Sequence, residues 1–141
     1  MKKRTSKLFA VAMTLVMVLS IASLITSCGA KTLEDYVNSD KDVKAQLDNT
    51  NEQFSTDEMG ANIEIKENTL TYTFKYTETY NDEQLEVMKE YFEKTMESVA
   101  TTFDAIRDSL AEESKIEDVV VKVRYLNGDD AEIFAAEYAK K

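Results

Sequence analysis

Histidine, proline and tryptophan are absent from the 141 residues, cysteine occurs once and glycine three times. Without histidine the chain lacks the side chain that most often serves as general base and as zinc ligand. One cysteine excludes an internal disulfide and any cysteine-cluster metal site. The glycines (Gly29, Gly60 and Gly128) are isolated, so no glycine-rich phosphate loop exists. Positive charge is scarce as well: 17 Lys and Arg stand against 27 Asp and Glu, a net charge of −10. A nucleic-acid binder needs a basic face, and this balance argues against that class of partner.

The few bases are unevenly placed. Lys2, Lys3, Arg4 and Lys7 open the chain, and no acid occurs in residues 1–27. Residues 8–25 follow as 18 uncharged positions. A cationic start ahead of an apolar run is the signature of a chain handed to an export channel, although this run also reaches the lower limit for a membrane span. The next stretch, Leu24-Ile25-Thr26-Ser27-Cys28-Gly29, resembles a bacterial lipoprotein lipobox. That resemblance implies that Cys28 receives a diacylglycerol and an acyl chain and becomes the first residue of the mature protein. The organisation expected is a signal peptide over 1–27, a lipidated tether over 28–31 and one domain over 32–141. An uncleaved signal anchor is the alternative, and both place the domain outside the cytoplasm. Removal of the leader takes four bases and no acid, leaving 13 bases against 27 acids and a net charge of −14. Residues 29–31 reach only about 10 Å when extended, which holds the domain and its partners close to the bilayer.

The domain reads as α+β. Thr32 precedes Leu33-Glu34-Asp35, a hydroxyl at the N-cap with acids in the first turn, where the helix dipole favours them. Ser39 or Asp40 is expected to cap a second short helix carrying Val43, Leu47 and Phe54. From Gly60 the period changes to two: Ile63 and Ile65 oppose Asn62, Glu64 and Lys66. After a turn at Glu67-Asn68, Leu70, Tyr72, Phe74 and Tyr76 oppose a row of threonines and Lys75. Between residues 82 and 113, Leu85, Met88, Phe92, Met96, Val99, Phe103, Ile106 and Leu110 recur every three or four positions. They fall within an arc of about 80°, the stripe of one long amphipathic helix. Val119, Val121, Val123 and Tyr125 then alternate with Lys122 and Arg124. Asn127-Gly128-Asp129-Asp130 predicts a hairpin turn through residues that tolerate positive φ, and a last strand over about residues 132–138 turns Phe134 and Tyr138 inward. The expected architecture is a four-stranded antiparallel sheet of two hairpins, packed on the long helix. Val87 and Tyr91 lie off the main stripe, on a flank the short N-terminal helices could cover.

Two surfaces stand out. Glu86, Glu90, Glu93, Glu97, Asp104 and Asp108 share an arc of about 60° on the outer side of the long helix. This is either a solvated face or a ridge for a basic partner or divalent cations. The outward rows of the sheet would carry Lys66, Lys75, Lys122 and Arg124 with Thr71 and Thr73. They form either an ordinary polar outer face or a cationic surface for an anionic ligand, a partner or lipid headgroups. The serines lack a strained-turn setting and no base is placed beside them, so no catalytic residue, metal site or cofactor is expected. The Tyr72, Phe74 and Tyr76 row shares parity with Leu70 and is expected in the core rather than as a stacking platform.

The lipobox, Thr32-Leu33-Glu34-Asp35-Tyr36-Val37-Asn38-Ser39, the run from Leu70 through Tyr76 and the end Val121-Lys122-Val123-Arg124-Tyr125-Leu126-Asn127-Gly128 together resemble a family of small Gram-positive lipoproteins classed only as a domain of unknown function. The likeness extends from Thr32 to Tyr138. It implies location and fold, and assigns no role to any residue but Cys28. The expectation for function is a membrane-anchored, extracytoplasmic and non-catalytic module that binds an unidentified membrane-proximal protein or ligand. A self-associating structural or accessory subunit is the alternative, and a carboxylate-based hydrolase is a weaker third.

Overall fold

The computed structural model describes residues 31–39 and 41–141. The expected signal peptide, the lipobox-like stretch with Cys28, and Asp40 lie outside the described residues. The elements are α1 (Leu33–Asn38), α2 (Lys41–Phe54), β1 (Met59–Lys66), β2 (Thr69–Tyr76), α3 (Asp82–Ser114), β3 (Val120–Leu126) and β4 (Glu132–Tyr138).

Local chemistry sets the boundaries. The Thr32 hydroxyl accepts the Asp35 N–H at 3.1 Å and starts α1. Ser39, one of two expected caps for α2, instead closes α1. Its N–H donates to the Asp35 carbonyl at 3.0 Å and its hydroxyl to that of Tyr36 at 2.7 Å. Asn81 opens α3 with a capping box, its Oδ1 accepting the Gln84 N–H at 3.0 Å while Gln84 Oε1 accepts the Asn81 N–H at 3.1 Å. Thirty-three residues of helix follow without Gly or Pro, until Lys115 turns left-handed at φ 61°.

The strand order is β1-β2-β3-β4, with β1–β2 and β3–β4 antiparallel as expected. The central pair is not: β2 and β3 run parallel, Thr69 opposite Val120 and Lys75 opposite Leu126. The sheet is therefore mixed, which corrects the expectation of a purely antiparallel one. The connection decides the direction. A helix of 33 residues is about 50 Å long, roughly twice the length of β2, so it returns the chain to the end where β2 began. The second hairpin must then leave from that end.

All eight stripe residues of α3 join the core, with Phe92, Met96, Phe103, Ile106 and Leu110 buried and Leu85, Met88 and Val99 packed against it. The helix lies over β4 and β3, while α1 and α2 lie against β1. The off-stripe flank is thus not covered by the short helices: Val87 is 66% exposed, and Tyr91 is only partly buried beside the core. Aromatic rings join the layers. Phe92 stacks on Tyr125 with centroids 4.0 Å apart, and Tyr125 stacks on Phe74 at 5.1 Å. Farther along, Phe103 stacks on Tyr138 at 5.0 Å. Tyr72, Phe74 and Tyr76 are core residues, as their parity required.

The β3–β4 turn forms where expected, but its residues divide the work differently. Positive φ falls on Asp130 (70°), and Asn127 is buried, its side chain accepting the Tyr80 N–H at 2.9 Å and donating to the Tyr80 carbonyl at 3.1 Å. This clamp draws the β2–α3 loop onto the turn. A Cβ on Gly128 would lie 2.7 Å from the Glu78 carbonyl oxygen, whereas one on Gly60 would meet nothing closer than 3.9 Å. Gly128→Ala should destabilise the fold by about 1–3 kcal/mol, because backbone on the facing loop must shift. Gly60→Ala should change stability far less; chemical denaturation of the two variants checks the contrast.

Two core hydroxyls, those of Tyr72 and Tyr76, find no hydrogen-bond partner among the described residues. Burial pushes the Tyr72 hydroxyl well above the ordinary tyrosine value of 10. The folded state thus holds this proton more tightly than the unfolded state does. Its contribution is complete below about pH 10 and is lost as pH rises above that value. Tyr72→Phe removes the unpartnered hydroxyl and should be neutral or stabilising by about 1 kcal/mol near neutral pH. It should also shallow the alkaline loss of stability, read from denaturation midpoints between neutral pH and pH values above the phenol range.

Candidate functional site

The side of the sheet turned away from the helices carries the residues singled out from the sequence, and no helix covers it among the described residues. Register assembles them in rows. Asn62, Thr73, Arg124 and Ala135 lie side by side across the four strands, and so do Glu64, Thr71, Lys122 and Glu137. Lys66 sits at the end of β1 opposite Thr69, one row beyond. All six candidate residues therefore share one face, as the period-two pattern required.

Their electrostatics differ from a bare cationic patch. Lys75 pairs with Asp130 at 2.7 Å, Lys122 with Glu137 at 3.0 Å and Arg124 with Glu132 at 3.1 Å. Lys66 makes no ion pair among the described residues, but Glu64 is close in sequence on the same face. Four bases are thus matched by four acids, and the face is polar and nearly neutral. The pairs are partly exposed, so each contributes little stability and mainly fixes side-chain direction. Thr71 and Thr73 form a half-buried hydroxyl row between them. The three partner acids were not singled out from the sequence. Counting outward from the Asn127–Ala131 bond that closes the turn places Glu132 opposite Leu126 but would set Ala136 opposite Lys122; Glu137 reaches Lys122 only through the bulge. Between Tyr125 and Leu126 the register slips, so that Leu126 faces Glu132 and Ile133 is left to enter the core.

The two edges of the sheet are treated differently. Along β1, side chains from the end of α2 replace a neighbouring strand. Asn51 accepts the Ile63 N–H through Oδ1 and donates to the Ile63 carbonyl through Nδ2 at 3.1 Å. Ser55 accepts the Ala61 N–H at 3.2 Å, and Thr56 the Met59 N–H at 3.2 Å. At the far end of β1, Glu34 and Glu67 exchange hydrogen bonds, each N–H donating at 2.8 Å. This edge is closed by short polar side chains from the last turn of α2 and the two residues that follow it. The signal was present in the i, i+4 spacing of Asn51 and Ser55 just before the strand.

On α3, Lys94 pairs with Glu90 at 2.6 Å, which holds the Glu90 carboxyl below its usual range. Arg107 holds Asp104 at 2.6 Å and Asp108 at 2.9 Å, and donates to the Ala139 carbonyl at 2.9 Å. Glu86, Glu93 and Glu97 have no ion-pair partner among the described residues. No group of three or more Cys, Asp or Glu among the described residues is arranged to hold a metal. No described helix is long and apolar enough to cross a membrane.

Among solved structures, a Pseudomonas aeruginosa protein provisionally described as secreted is similar at a TM-score of 0.46 and 8% identity, over 78% of this chain and 95% of that one. No curated protein matches the sequence. The family model of a domain of unknown function (DUF4854) matches residues 33–138, from the start of α1 to the end of β4. The chain belongs to that family.

Proposed function

We propose that this protein is a lipid-anchored, non-catalytic binding module on the outer side of the cell membrane, presenting the uncovered side of its sheet to a membrane-proximal partner. The observation that carries this reading is the one-sided coverage of the sheet. Helices bury one face, and the opposite face offers a hydroxyl row between oriented ion pairs. An uncovered sheet face of mixed charge suits recognition of a protein surface, where polar groups confer specificity. It suits headgroup binding less well, since three of its four bases already have carboxylate partners.

The anchor is the second part of the reading. It rests on the cationic and apolar leader and on the lipobox-like stretch that ends at Cys28. One diacylglycerol with an added acyl chain holds a domain at a bilayer without a spanning helix. Residues 29–31 would keep the start of α1 within about 10 Å of the membrane surface.

Metabolic labelling with an alkyne fatty acid, combined with photo-crosslinking on intact cells, tests both parts. The wild-type chain should carry the label and lose residues 1–27. Cys28→Ser should abolish the label and leave the leader attached. A photoreactive residue at Thr73 should yield a discrete protein adduct, whereas one at the exposed Glu112 of α3 should not. An unlabelled, uncleaved wild-type chain overturns the anchor, and absence of any adduct from the sheet side overturns the binding role.

A further inference from the structure

We propose that β4 is a docking edge for an extended basic polypeptide segment, which adds to the sheet as a fifth strand beneath the acidic flank of α3. This deepens the binding-module reading and rests on it, naming the chemistry of the partner and the place where it docks.

The sheet has two edges and only one is closed. Asn51, Ser55 and Thr56 satisfy the outer N–H groups of Met59, Ala61 and Ile63 on β1. From Glu132 to Tyr138, no backbone group of β4 bonds outside the sheet to any described residue. The first contact of that kind comes after the strand, where Arg107 takes the Ala139 carbonyl. An open row of N–H and C=O groups is a template for another strand. Ala135 and Ala136 make the middle of this edge flat and small.

Charge selects the occupant. The flank of α3 on the β4 side is marked by Arg107, which bonds the Ala139 carbonyl just beyond β4, and Tyr91 falls on the opposite flank by helical spacing. Asp104 shares the β4 flank. Burial first, and then the Asp104 carboxylate, push the Tyr138 hydroxyl above its ordinary value. Phe92 lies against Phe134, and the Met96 carbonyl accepts the Tyr138 hydroxyl at 3.5 Å, so this stretch of helix runs alongside β4. Glu93 and Glu97 stand at that level on the Asp104 flank, and neither has an ion-pair partner among the described residues. A strand added to β4 would pass under these carboxylates, with Glu137 on its other face. Lys or Arg side chains on the helix side of the incoming strand would meet these unpaired acids, while on the open face Glu137 is already held by Lys122. A second copy of this chain fits poorly, because antiparallel pairing of β4 with itself would set two acidic helix flanks against each other.

The test uses the mature protein in detergent micelles and hydrogen exchange of its backbone amides. The probes are a short synthetic peptide of alternating Lys and Val and its counterpart of alternating Glu and Val. The Lys peptide should slow exchange in residues 132–138 and leave β1 unchanged, while the Glu peptide should do neither. Glu93→Lys combined with Glu97→Lys should weaken the Lys peptide about tenfold, and added salt should weaken it in the wild type. Unchanged exchange in β2 and α3 would show that the variant remains folded. The proposal is overturned by unaltered exchange in β4, by equal protection from the Glu peptide, or by protection at β1. Protection of β4 that grows with protein concentration alone would overturn it in favour of a second copy. Crosslinks from Thr73 on cells with β4 indifferent to the Lys peptide would overturn the edge and leave the binding module standing.

Discussion

The contact of Phe92 with Tyr125 is the junction on which the architecture depends. Phe92 is the first fully buried stripe residue of α3, and Tyr125 lies on β3, which the helix has just delivered. Tyr125 also stacks on Phe74 of β2, so one column of rings ties the crossover helix to both members of the parallel pair. Parallel strands have no tight turn to fix their register. Here register is fixed by the side chains that α3 lays across the two strands and by the Asn68 carbonyl, which accepts the Val120 N–H at 2.9 Å at the start of β3. A lost ring at this point would therefore act on the strand order as well as on the packing.

The extent to which this fold is legible in the sequence follows from the range of the interactions concerned. Elements with their own periodicity are readable: the stripe from Leu85 to Leu110, the alternation in β1 to β3, and the Thr32 cap depend on neighbours within a few residues. The direction of β3 beside β2 is not written in either strand. It follows from comparing the length of α3 with that of β2, an argument the sequence permits but strand pattern alone does not raise. The turn at Asn127-Gly128-Asp129-Asp130 is readable as a turn, whereas the reason for Gly128 is the approach of Glu78 from fifty residues upstream. Likewise the candidate face was readable as a face. Its charge was not, because three of the acids that offset its four bases sit on β4 and the turn, and parity across a bulge does not survive counting.

The two edges show how one sheet can be made to accept strands at a single side. Closing β1 uses Asn51 in the last turn of α2 and Ser55 and Thr56 just after it, each bonding an N–H of alternate residues. No neighbouring strand is spent on that edge, and the helix that supplies the side chains also adds Val43 and Leu47 to the core. β4 has no such cover. Its hydrophobic side chains, Phe134 and Tyr138, are held under α3, and the charged ones, Glu132 and Glu137, turn to the open face and pair with β3. Exposed strand edges invite aggregation, and inward or flanking charge is the usual defence. The acidic flank of α3 serves that defence against other acidic chains, including copies of this one.

That defence has a corollary for selectivity. A purely steric block, like the one on β1, excludes every strand alike. An electrostatic one excludes by sign, so its strength against an acidic strand is also its attraction for a basic one. It is weakened by salt for both, since Glu93 and Glu97 are surface groups within reach of counterions. Backbone bonds supply the part of the affinity that is indifferent to sequence, and the flanking carboxylates supply the part that discriminates. Such an edge would leave most neighbours of this acidic domain unbound without needing a shaped pocket to reject them.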